Sequence, residues 1–449
     1  MRGEREADDV AIIGGGLAGA ATTIACARYA RHARVRLFSP ESPGRGAAYG
    51  VGSPIWFMNG PASAMSVVAD DAGHLARSLR CAPGTFITRE RFGEYVGETL
   101  RAAAFGRANV AIERSSVVDI ERTRGGFLLC DDRGVRYRAR SVVLAMGNAR
   151  PADEFLPSEL RSSARYVGDP WRVPIAEIPD GDMLCIGNGL TAIDHVAARA
   201  LANRIGTTFT IARHGFLPAR ERSEIRALRY EELGLDERSP LALFRSVRAA
   251  MRDRIAEGGD WREIAEALRR PLQRVWIGWT TAQRRQFVEH VAALWGSVRY
   301  RVPPATDDAV AALRAAGRYV SLRGEIVAAS EERDALIVDY SVDGVLRRLR
   351  VATVLNCTGP NGDVRSNPDP LLRSMLERGL IRPDALHLGL DATLQGEAID
   401  REGVADERLL AIGPLLRGVL YETTAVPEIA EQARAIAGRI ACDLEACVA

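Results

Sequence analysis

The sequence predicts an α/β protein made of two similar parallel-sheet units with a helical segment between them. An apolar run, closely spaced glycines and an alanine-rich segment follow one another at residues 9–31 and again at 183–204. Each stretch is followed further along the chain by strand-like pieces and a closing apolar strand. The same order of elements occurring twice is typical of a duplicated supersecondary unit, so two units of one kind are expected.

The first unit opens with an apolar run at residues 10–13, which suits a buried parallel strand. Gly14, Gly16 and Gly19 follow with the spacing G-x-G-x-x-G, and residues 20–31 then predict a helix. In this context the first glycine permits a tight turn, the second lets a pyrophosphate approach the backbone, and the third lets the helix pack closely. The positive end of the helix favours phosphate. The stretch therefore predicts a dinucleotide-binding loop; a glycine-rich turn that binds nothing is the alternative.

A second strand is predicted over residues 35–38, and its end departs from the usual pattern. An acid that binds the ribose hydroxyls is expected about 20 residues after the glycine loop. Ser39 occupies that place; its hydroxyl can also bond a ribose, and Glu41 is close by. The glycine-rich loop at 42–50 and the loop at 58–75 are both predicted to be irregular, and loops of this length are usually functional.

The rest of the first unit is predicted as one helix and several strands. The helix is expected over residues 89–104. The strands, separated by turn residues, are expected over 111–119, 126–130, 136–140 and 141–145.

The second unit repeats this order. A buried strand over residues 183–186 leads into Gly187, Gly189 and Ala192, which give the spacing G-x-G-x-x-A. A helix over 193–204 and a strand over 208–212 follow. A meander of antiparallel strands is expected later, over 319–322, 325–329, 336–341 and 346–349, and it ends in an apolar strand over 351–355. The repetition predicts two dinucleotide-binding domains.

Arg213 follows the strand after the second glycine loop, about 20 residues beyond that loop. An arginine at this point can bind a ribose 2′-phosphate, which an acid would repel. NADPH is therefore expected in preference to NADH. The alternative is that Arg213 is only a solvated surface charge.

Residues 219–316 have helical periodicity and contain four of the six tryptophans. The apolar residues Ile264, Leu268, Leu272 and Trp276 recur at spacings of three to four, which predicts a buried stripe. The segment is either packed for stability or a substrate-binding lid, and periodicity does not decide between the two.

The C-terminal part is predicted to contain a strand over residues 409–412 and a final helix that begins near Thr424. Pro427 and Glu428 are typical of a helix N-terminus. Such a positive end suits an electron-rich ring.

Composition limits the classes of function. The chain of 449 residues suits two or three domains, and its net charge of +2 gives no reason to expect nucleic acid as a partner. It contains no lysine, so all 60 basic residues are arginines, which suit phosphate and exclude a lysine Schiff base. No signal peptide or membrane span is recognised, so a cytoplasmic protein is expected. The seven cysteines show neither a C-x-x-C pair nor a metal-binding spacing, so no metal and no redox-active dithiol are expected.

Five segments together resemble a known family: residues 42–50, 187–194, 213–218, 356–363 and 424–429. With them the chain resembles the bacterial FAD/NAD(P)-binding flavoproteins, neighbours of the single-component (class B-like) flavin monooxygenases. The resemblance implies an α/β fold with two Rossmann-like dinucleotide-binding domains. A discontinuous FAD-binding domain would comprise residues 1–168 and 354–449, and an inserted NAD(P)-binding domain would comprise 169–353 with the helical insertion 219–316. Arg299-Tyr300-Arg301 departs from the expected histidine between two arginines.

The motifs and the resemblance together assign the cofactor-binding residues, but no catalytic residue. For FAD they are Gly14, Gly16, Leu17, Ala18, Gly19, Ser39, Arg45, Asn59, Met65, Ser66, Val118, Gly147, Gly413, Pro414 and Thr424. For NADP they are Gly187, Gly189, Leu190, Thr191, Arg213 and His214.

The leading functional hypothesis is an NADPH-dependent FAD monooxygenase. Reduced flavin would react with oxygen to give a C4a-(hydro)peroxide, which a dry pocket would protect until a small molecule attacks it. One alternative is an NAD(P)H-dependent reductase that passes electrons to a quinone or a protein partner. Another is a non-catalytic flavin-binding scaffold. His74, His195, His214 and His290 are each interpreted as structural, because none has a recognisable catalytic partner in the sequence.

Overall fold

The computed structural model describes residues 7–50, 52–222, 225 and 227–448. The charged start of the chain at residues 1–6 and the side chain of Cys447 lie outside this description.

The N-terminal part builds most of the first unit. Its elements are β1 (Asp8–Ile13), α1 (Leu17–Tyr29), β2 (Val35–Phe38), α2 (Gly46–Gly50), α3 (His74–Ser78), α4 (Arg89–Ala104), β3 (Val110–Glu113), β4 (Val117–Thr123), β5 (Gly126–Asp131), β6 (Arg136–Leu144) and α5 (Ser158–Arg161).

The central part builds the second unit and the helical insertion. Its elements are β7 (Tyr166–Val167), β8 (Met183–Ile186), α6 (Leu190–Leu201), β9 (Thr208–Ala212), α7 (Pro240–Ala256), α8 (Arg262–Arg269), α9 (Pro271–Gly278), α10 (Thr281–His290), α11 (Ala292–Arg299), α12 (Pro304–Ala315), β10 (Tyr319–Arg323), β11 (Glu325–Glu332), β12 (Ala335–Val342), β13 (Val345–Val351) and β14 (Thr353–Asn356).

The C-terminal part returns to the first unit. Its elements are α13 (Pro370–Glu377), β15 (Glu397–Ile399), β16 (Ala405–Ala411), α14 (Arg417–Leu420) and α15 (Val426–Val448).

The first sheet has the parallel order β16-β6-β1-β2-β3, with β15 antiparallel at the β16 edge and the β4-β5 ribbon continuing antiparallel from β6. Ile12 in β1 is paired with Leu37 on one side and Val143 on the other, and all three residues are buried. Helix α1 is alanine-rich and buried through most of its length, because the sheet, α4 and α15 surround it. A helix buried on every side has no polar face, which explains its small side chains.

The second sheet has the parallel order β10-β9-β8-β14-β7, and β11-β12-β13 form a separate antiparallel sheet. Strands β7 and β14 pair within the second sheet. That sheet therefore includes residues 166–167 and 354–356, which lie on the other side of the predicted domain boundaries.

The predicted bounds of β2, α4 and β9 are confirmed exactly. Four other expectations were wrong. Residues 46–50 form the short helix α2 rather than irregular loop, and 136–140 and 141–145 belong to one strand, β6. The piece at 111–119 is two strands, β3 and β4. Strand β10 pairs in parallel with β9 instead of joining the antiparallel strands, because it extends the second parallel sheet.

Candidate functional site

The two glycine loops have the same backbone geometry. Gly14 has φ +105°, and a Cβ added to it would lie 2.4 Å from the carbonyl oxygen of Ala145. Gly187 has φ +112°, and its added Cβ would lie 2.4 Å from the carbonyl oxygen of Cys357. Only glycine adopts this conformation readily, and in both loops it lets the chain turn against the end of the closing strand.

The next positions in the two loops fit a dinucleotide. Around a Cβ added to Gly16, the nearest atom is the Cα of Gly46 at 3.8 Å, and nothing lies within 4 Å of one added to Gly189. These backbones are therefore open to a phosphate. By contrast, a Cβ on Gly19 would lie 1.8 Å from the carbonyl oxygen of Gly14, so this glycine allows close helix packing. The buried Ala192 occupies the corresponding position of the second loop.

A cleft of about 800 Å³ runs from the first glycine loop along the carboxyl ends of the first sheet. Its wall is built from residues 39–42, 45–49, 115–117, 145–151, 356–357 and 359–362, and from residues around α14 and the start of α15. Ligands of parallel α/β sheets bind outside the carboxyl ends of the strands, where this cleft lies. The assigned residues that line it are Gly14, Gly16, Leu17, Ala18, Ser39, Arg45, Gly147, Pro414, Thr424 and, from the second unit, Thr191.

The other residues assigned to FAD do not contribute to the wall. Met65 and Ser66 are buried, and the Ser66 hydroxyl donates to the carbonyl of Val68. Val117 lines the cleft rather than Val118. The remaining residues away from the wall are Gly19, Asn59 and Gly413. Their roles stay predictions.

The residues assigned to NADP lie in the second unit, and of these only Thr191 reaches the cleft. Gly187, Gly189 and Leu190 form the second loop and the start of α6. Arg213 follows β9 with 74% of its side chain exposed, and its Nε lies 3.9 Å from Glu325. His214 stacks on Phe216. An exposed guanidinium at this strand end is accessible to a phosphate, and the assignment stays a prediction.

Ser39 has a local partner. Its hydroxyl donates to the carbonyl oxygen of Glu41 at 2.8 Å, and the side chain is buried. A Cβ on Gly15 would lie 2.0 Å from this hydroxyl, so Ser39 packs directly against the glycine loop. The structure therefore gives Ser39 a role in joining the end of β2 to the loop, whereas Glu41 is exposed at the cleft.

The end of the cleft near Thr424 is supported from behind by the helical insertion. Trp276 of α9 stacks on Tyr421 with ring centroids 4.8 Å apart, and its indole N–H donates to the carbonyl of Gly418. The indole N–H of Trp295 donates to Oε1 of Glu422 at 3.0 Å, and Arg299 lies 3.4 Å from Oε2.

The insertion therefore supports the wall of the cleft from behind but does not line it. None of the residues 219–316 that the structure describes lines the cleft. The buried stripe predicted for it is confirmed, because Ile264, Leu268, Leu272 and Trp276 are all buried.

The histidines at 74 and 195 have structural partners. Nδ1 of His74 lies 2.8 Å from the hydroxyl of Tyr95. His195 is fully buried and its two ring nitrogens contact the carbonyls of Thr191 and Pro170. Burial lowers the pKa of His195, so it is neutral at physiological pH.

Two cysteines distant in sequence meet in space. Cys185 at the end of β8 and Cys357 just after β14 are neighbouring buried thiols, and Cys357 lines the cleft. Burial, and then the neighbouring thiol, raises the pKa of Cys357 well above its ordinary value. A protonated, buried thiol is a poor nucleophile, so this pair is unsuited to disulfide exchange.

The described residues offer neither a metal site nor a membrane-spanning helix. No group of three or more histidine, cysteine or acidic side chains is placed to hold a metal ion. No helix there has both the length and the apolar character needed to cross a membrane.

The two units and the cleft between them define the fold of flavoproteins with two dinucleotide-binding domains. Residues 11–149 match a family model described as FAD-NAD(P)-binding. No curated protein sequence gives a significant match.

Solved structures match the whole chain at low sequence identity. The reduced form of ornithine hydroxylase from Pseudomonas aeruginosa is 14% identical with a TM-score of 0.64, covering 98% of this chain and 100% of that one. The FAD-bound cadaverine monooxygenase from Erwinia amylovora is 12% identical with a TM-score of 0.65, covering 97% and 95%. The bacillithiol disulfide reductase from Bacillus cereus is 14% identical with a TM-score of 0.57, covering 98% and 100%. These similarities establish the fold, which oxygenases and reductases share.

Several residues of the cleft are not among those assigned from the sequence. Trp171 and Arg150 come from the connection between the two units, and Arg417 comes from α14. For Arg417, its place just after the Gly413-Pro414 turn was a usable signal, because that turn follows a parallel strand. Trp171 reaches the cleft only through packing between the units.

Proposed function

We propose that the chain is an FAD-dependent oxidoreductase that uses NADPH and oxygenates a small molecule. The observation that carries the proposal is the pair of glycine loops with equivalent open positions, Gly16 and Gly189, of which the first opens onto the cleft. Residues of both units, including Thr191 and Cys357 of the second, contribute to this cleft. The names of two similar structures, an ornithine hydroxylase and a cadaverine monooxygenase, support the proposal.

The residues of the first unit have distinct binding roles under this proposal. The open backbone at Gly16 and the N-terminus of α1 would hold the FAD pyrophosphate. Arg45 supplies a positive charge on the same wall, and the N-terminus of α15 near Thr424 would face the electron-rich pyrimidine end of the flavin. Gly187, Gly189 and Thr191 would hold NADPH, with Arg213 at its 2′-phosphate. When bound and reduced, the flavin supplies the electrons for oxygen activation.

The protein's remaining task is to exclude water from the reacting end of the cleft. Productive turnover converts substrate, O₂, NADPH and a proton into oxygenated substrate, NADP⁺ and water. Without protection, NADPH, a proton and O₂ give NADP⁺ and hydrogen peroxide. The stacked Trp276 and Tyr421 and the Trp295 bond to Glu422 brace the segment that leads into Thr424. This buried support behind the wall favours an enclosed site over an exposed flavin edge.

A reductase that passes electrons to a quinone or a protein partner is the second candidate, because the bacillithiol disulfide reductase shares the fold. A reductase that exchanges electrons with a disulfide through Cys185 and Cys357 is disfavoured, because both thiols are buried. An exposed electron acceptor would not need the braced wall around Glu422.

The deciding experiment follows NADPH oxidation, oxygen uptake and peroxide release by the purified protein. Ornithine, lysine and cadaverine, together with thioethers and ketones, form the substrate panel. We expect at least one compound to lower the ratio of peroxide formed to NADPH oxidised. A ratio near unity with every compound would favour the reductase. A protein that stays colourless after reconstitution with FAD would refute the proposal as a whole.

A further inference from the structure

The two units are joined by a compact cluster, here called the inter-unit latch, made of the buried Trp56 and Asp194 and the partly buried Arg89 and Trp171. Nη2 of Arg89, in the first unit, lies 3.0 Å from Oδ2 of Asp194, in the second. Only 14% of the Arg89 side chain and 3% of the Asp194 side chain are exposed. Trp56 is completely buried, and its indole N–H donates to the backbone carbonyl of Asp194 at 2.8 Å.

Local backbone pairing brings Trp56 and Arg89 to the same place. The amide of Arg89 donates to the carbonyl of Trp56, and the amide of Met58 donates to that of Ile87. The loop before Trp56 also contacts the second unit, because the Thr306 hydroxyl of α12 donates to the carbonyl of Ile55. The first unit therefore inserts a short braced segment into the second.

The position of Arg89 is not explained by its own helix. Arg89 is the first residue of α4, where the helix dipole disfavours a positive charge. Asp194 lies in α6 beside the neutral His195, and an ionised carboxylate buried in such surroundings is costly unless it is paired. Arg89 and Asp194 therefore each have their partner charge in the other unit.

The latch is continuous with the cleft and with the second glycine loop. The Arg89 guanidinium lies over the ring of Trp171 at 4.9 Å, and Trp171 lines the cleft. Asp194 belongs to α6, whose first turn carries Thr191 and which begins directly after Gly189. A movement of α6 away from the cleft would separate the ion pair and uncover Trp56.

We propose that the latch fixes the second glycine loop relative to the cleft, so that NADPH reduces the flavin in the arrangement seen here, without rotation of one unit against the other. Arg89 and Asp194 are then positioning residues that act through α6. The inference rests on the proposed use of FAD and NADPH.

The test compares Arg89→Met with Arg91→Met as a matched control. Arg91 lies two residues along the same helix, is 52% exposed and pairs with Glu94 of that helix. Three quantities are measured for each purified protein: bound FAD, the dissociation constant of NADP⁺, and the anaerobic rate of flavin reduction at saturating NADPH. Asp194→Asn and the conservative Arg89→Lys are measured alongside.

We expect Arg89→Met to slow flavin reduction at least tenfold, with FAD content unchanged and the NADP⁺ dissociation constant within twofold of wild type. Arg89→Lys should restore part of the rate, because it keeps the charge but loses the planar contact with Trp171. Arg91→Met should match wild type in all three quantities. Flavin reduction at the wild-type rate in Arg89→Met would overturn the proposal.

A measurement on the wild type tests whether the units rotate, even if a variant does not fold. Small-angle X-ray scattering of the oxidised protein, of the reduced protein and of each with NADP⁺ should give superimposable curves. Hydrogen exchange at residues 56–58 and 87–89 should be equally slow in all four states. A changed scattering curve with faster exchange at these residues would overturn the latch. A wild type that binds no FAD, or whose flavin NADPH does not reduce, refutes the proposed function instead.

Discussion

Asp194 gives the protein a characteristic dependence of stability on pH. The side chain is buried inside α6, and burial raises its pKa from 3.8 to about 6 even though Arg89 acts in the opposite direction. The folded protein therefore binds the proton of this carboxyl more tightly than the unfolded chain does. Its contribution to stability is fully present below the unfolded pKa near 4 and is lost as pH rises through the folded pKa near 6.

The size of the effect follows from the two pKa values. At about 1.4 kcal/mol per pH unit, the interval from 3.8 to about 6 corresponds to a loss of about 3 kcal/mol. About 1.3 kcal/mol of this loss of stability falls between pH 5 and 7, within the range of the assay. Asp194→Asn cannot ionise, so its stability lacks this dependence on pH and serves as the reference.

The assay measures the free energy of unfolding of wild type and Asp194→Asn in urea at half-unit steps from pH 5 to 7.5. The difference, wild type minus variant, should fall as pH rises and level off above pH 7. Asp70→Asn is a matched control, because it removes a carboxylate whose pair with Arg28 lies at the surface, and its loss should cost no more than about 1 kcal/mol. A flat difference for Asp194→Asn would show that the carboxyl is not desolvated. A difference that rises with pH would show that attraction to Arg89 outweighs burial.

Three further predictions concern the cofactors and the cleft. Gly16→Val should abolish FAD binding, measured as bound flavin, because its side chain would occupy the open space beside the loop; retained flavin would refute the assignment. Arg213→Ala should lower the ratio of NADPH to NADH efficiency at least about tenfold, since a charged hydrogen bond to the 2′-phosphate is worth about 1.5–3 kcal/mol; an unchanged ratio would make Arg213 a surface charge. Trp295→Ala should cost about 3–5 kcal/mol of stability and raise the ratio of peroxide to NADPH, with flavin reduction by NADPH nearly intact. Trp295→Phe keeps an aromatic ring of smaller size and loses the indole N–H that bonds Glu422, so a smaller rise is expected than for Trp295→Ala; no rise in either variant would contradict a bracing role.

The glycine loops and their flanking elements were predictable because their information is local. The positive φ of Gly14 and Gly187, the close packing at Gly19 and the strands beside them are all required by a few neighbouring residues. The bounds of β2, α4 and β9 follow from equally local patterns of apolar and turn residues.

The connections between the units were not predictable because they join distant residues without a repeating pattern. Arg89 and Asp194 are 105 residues apart in the chain. Cys185 and Cys357 become neighbours only because β8 and β14 pair in parallel. The absence of a C-x-x-C motif thus said nothing about thiols that meet in space. Periodicity likewise predicted one buried stripe in the insertion, but not that the insertion packs behind residues 418–422.

The question of oxygenase or reductase therefore depends on a small part of the molecule. The fold is common to both classes, so the glycine loops and the cofactors they would hold cannot separate them. What differs between the classes is whether the reacting end of the cleft is sealed. In this chain Glu422, a buried acid two residues before Thr424, is held by Trp295 and Arg299 of the insertion. An oxygenase needs a rigid, dry wall there, whereas a reductase that passes electrons to a large partner needs an exposed flavin edge. The ratio of peroxide to NADPH in the Trp295 variants consequently tests the functional class more directly than any measurement of cofactor binding.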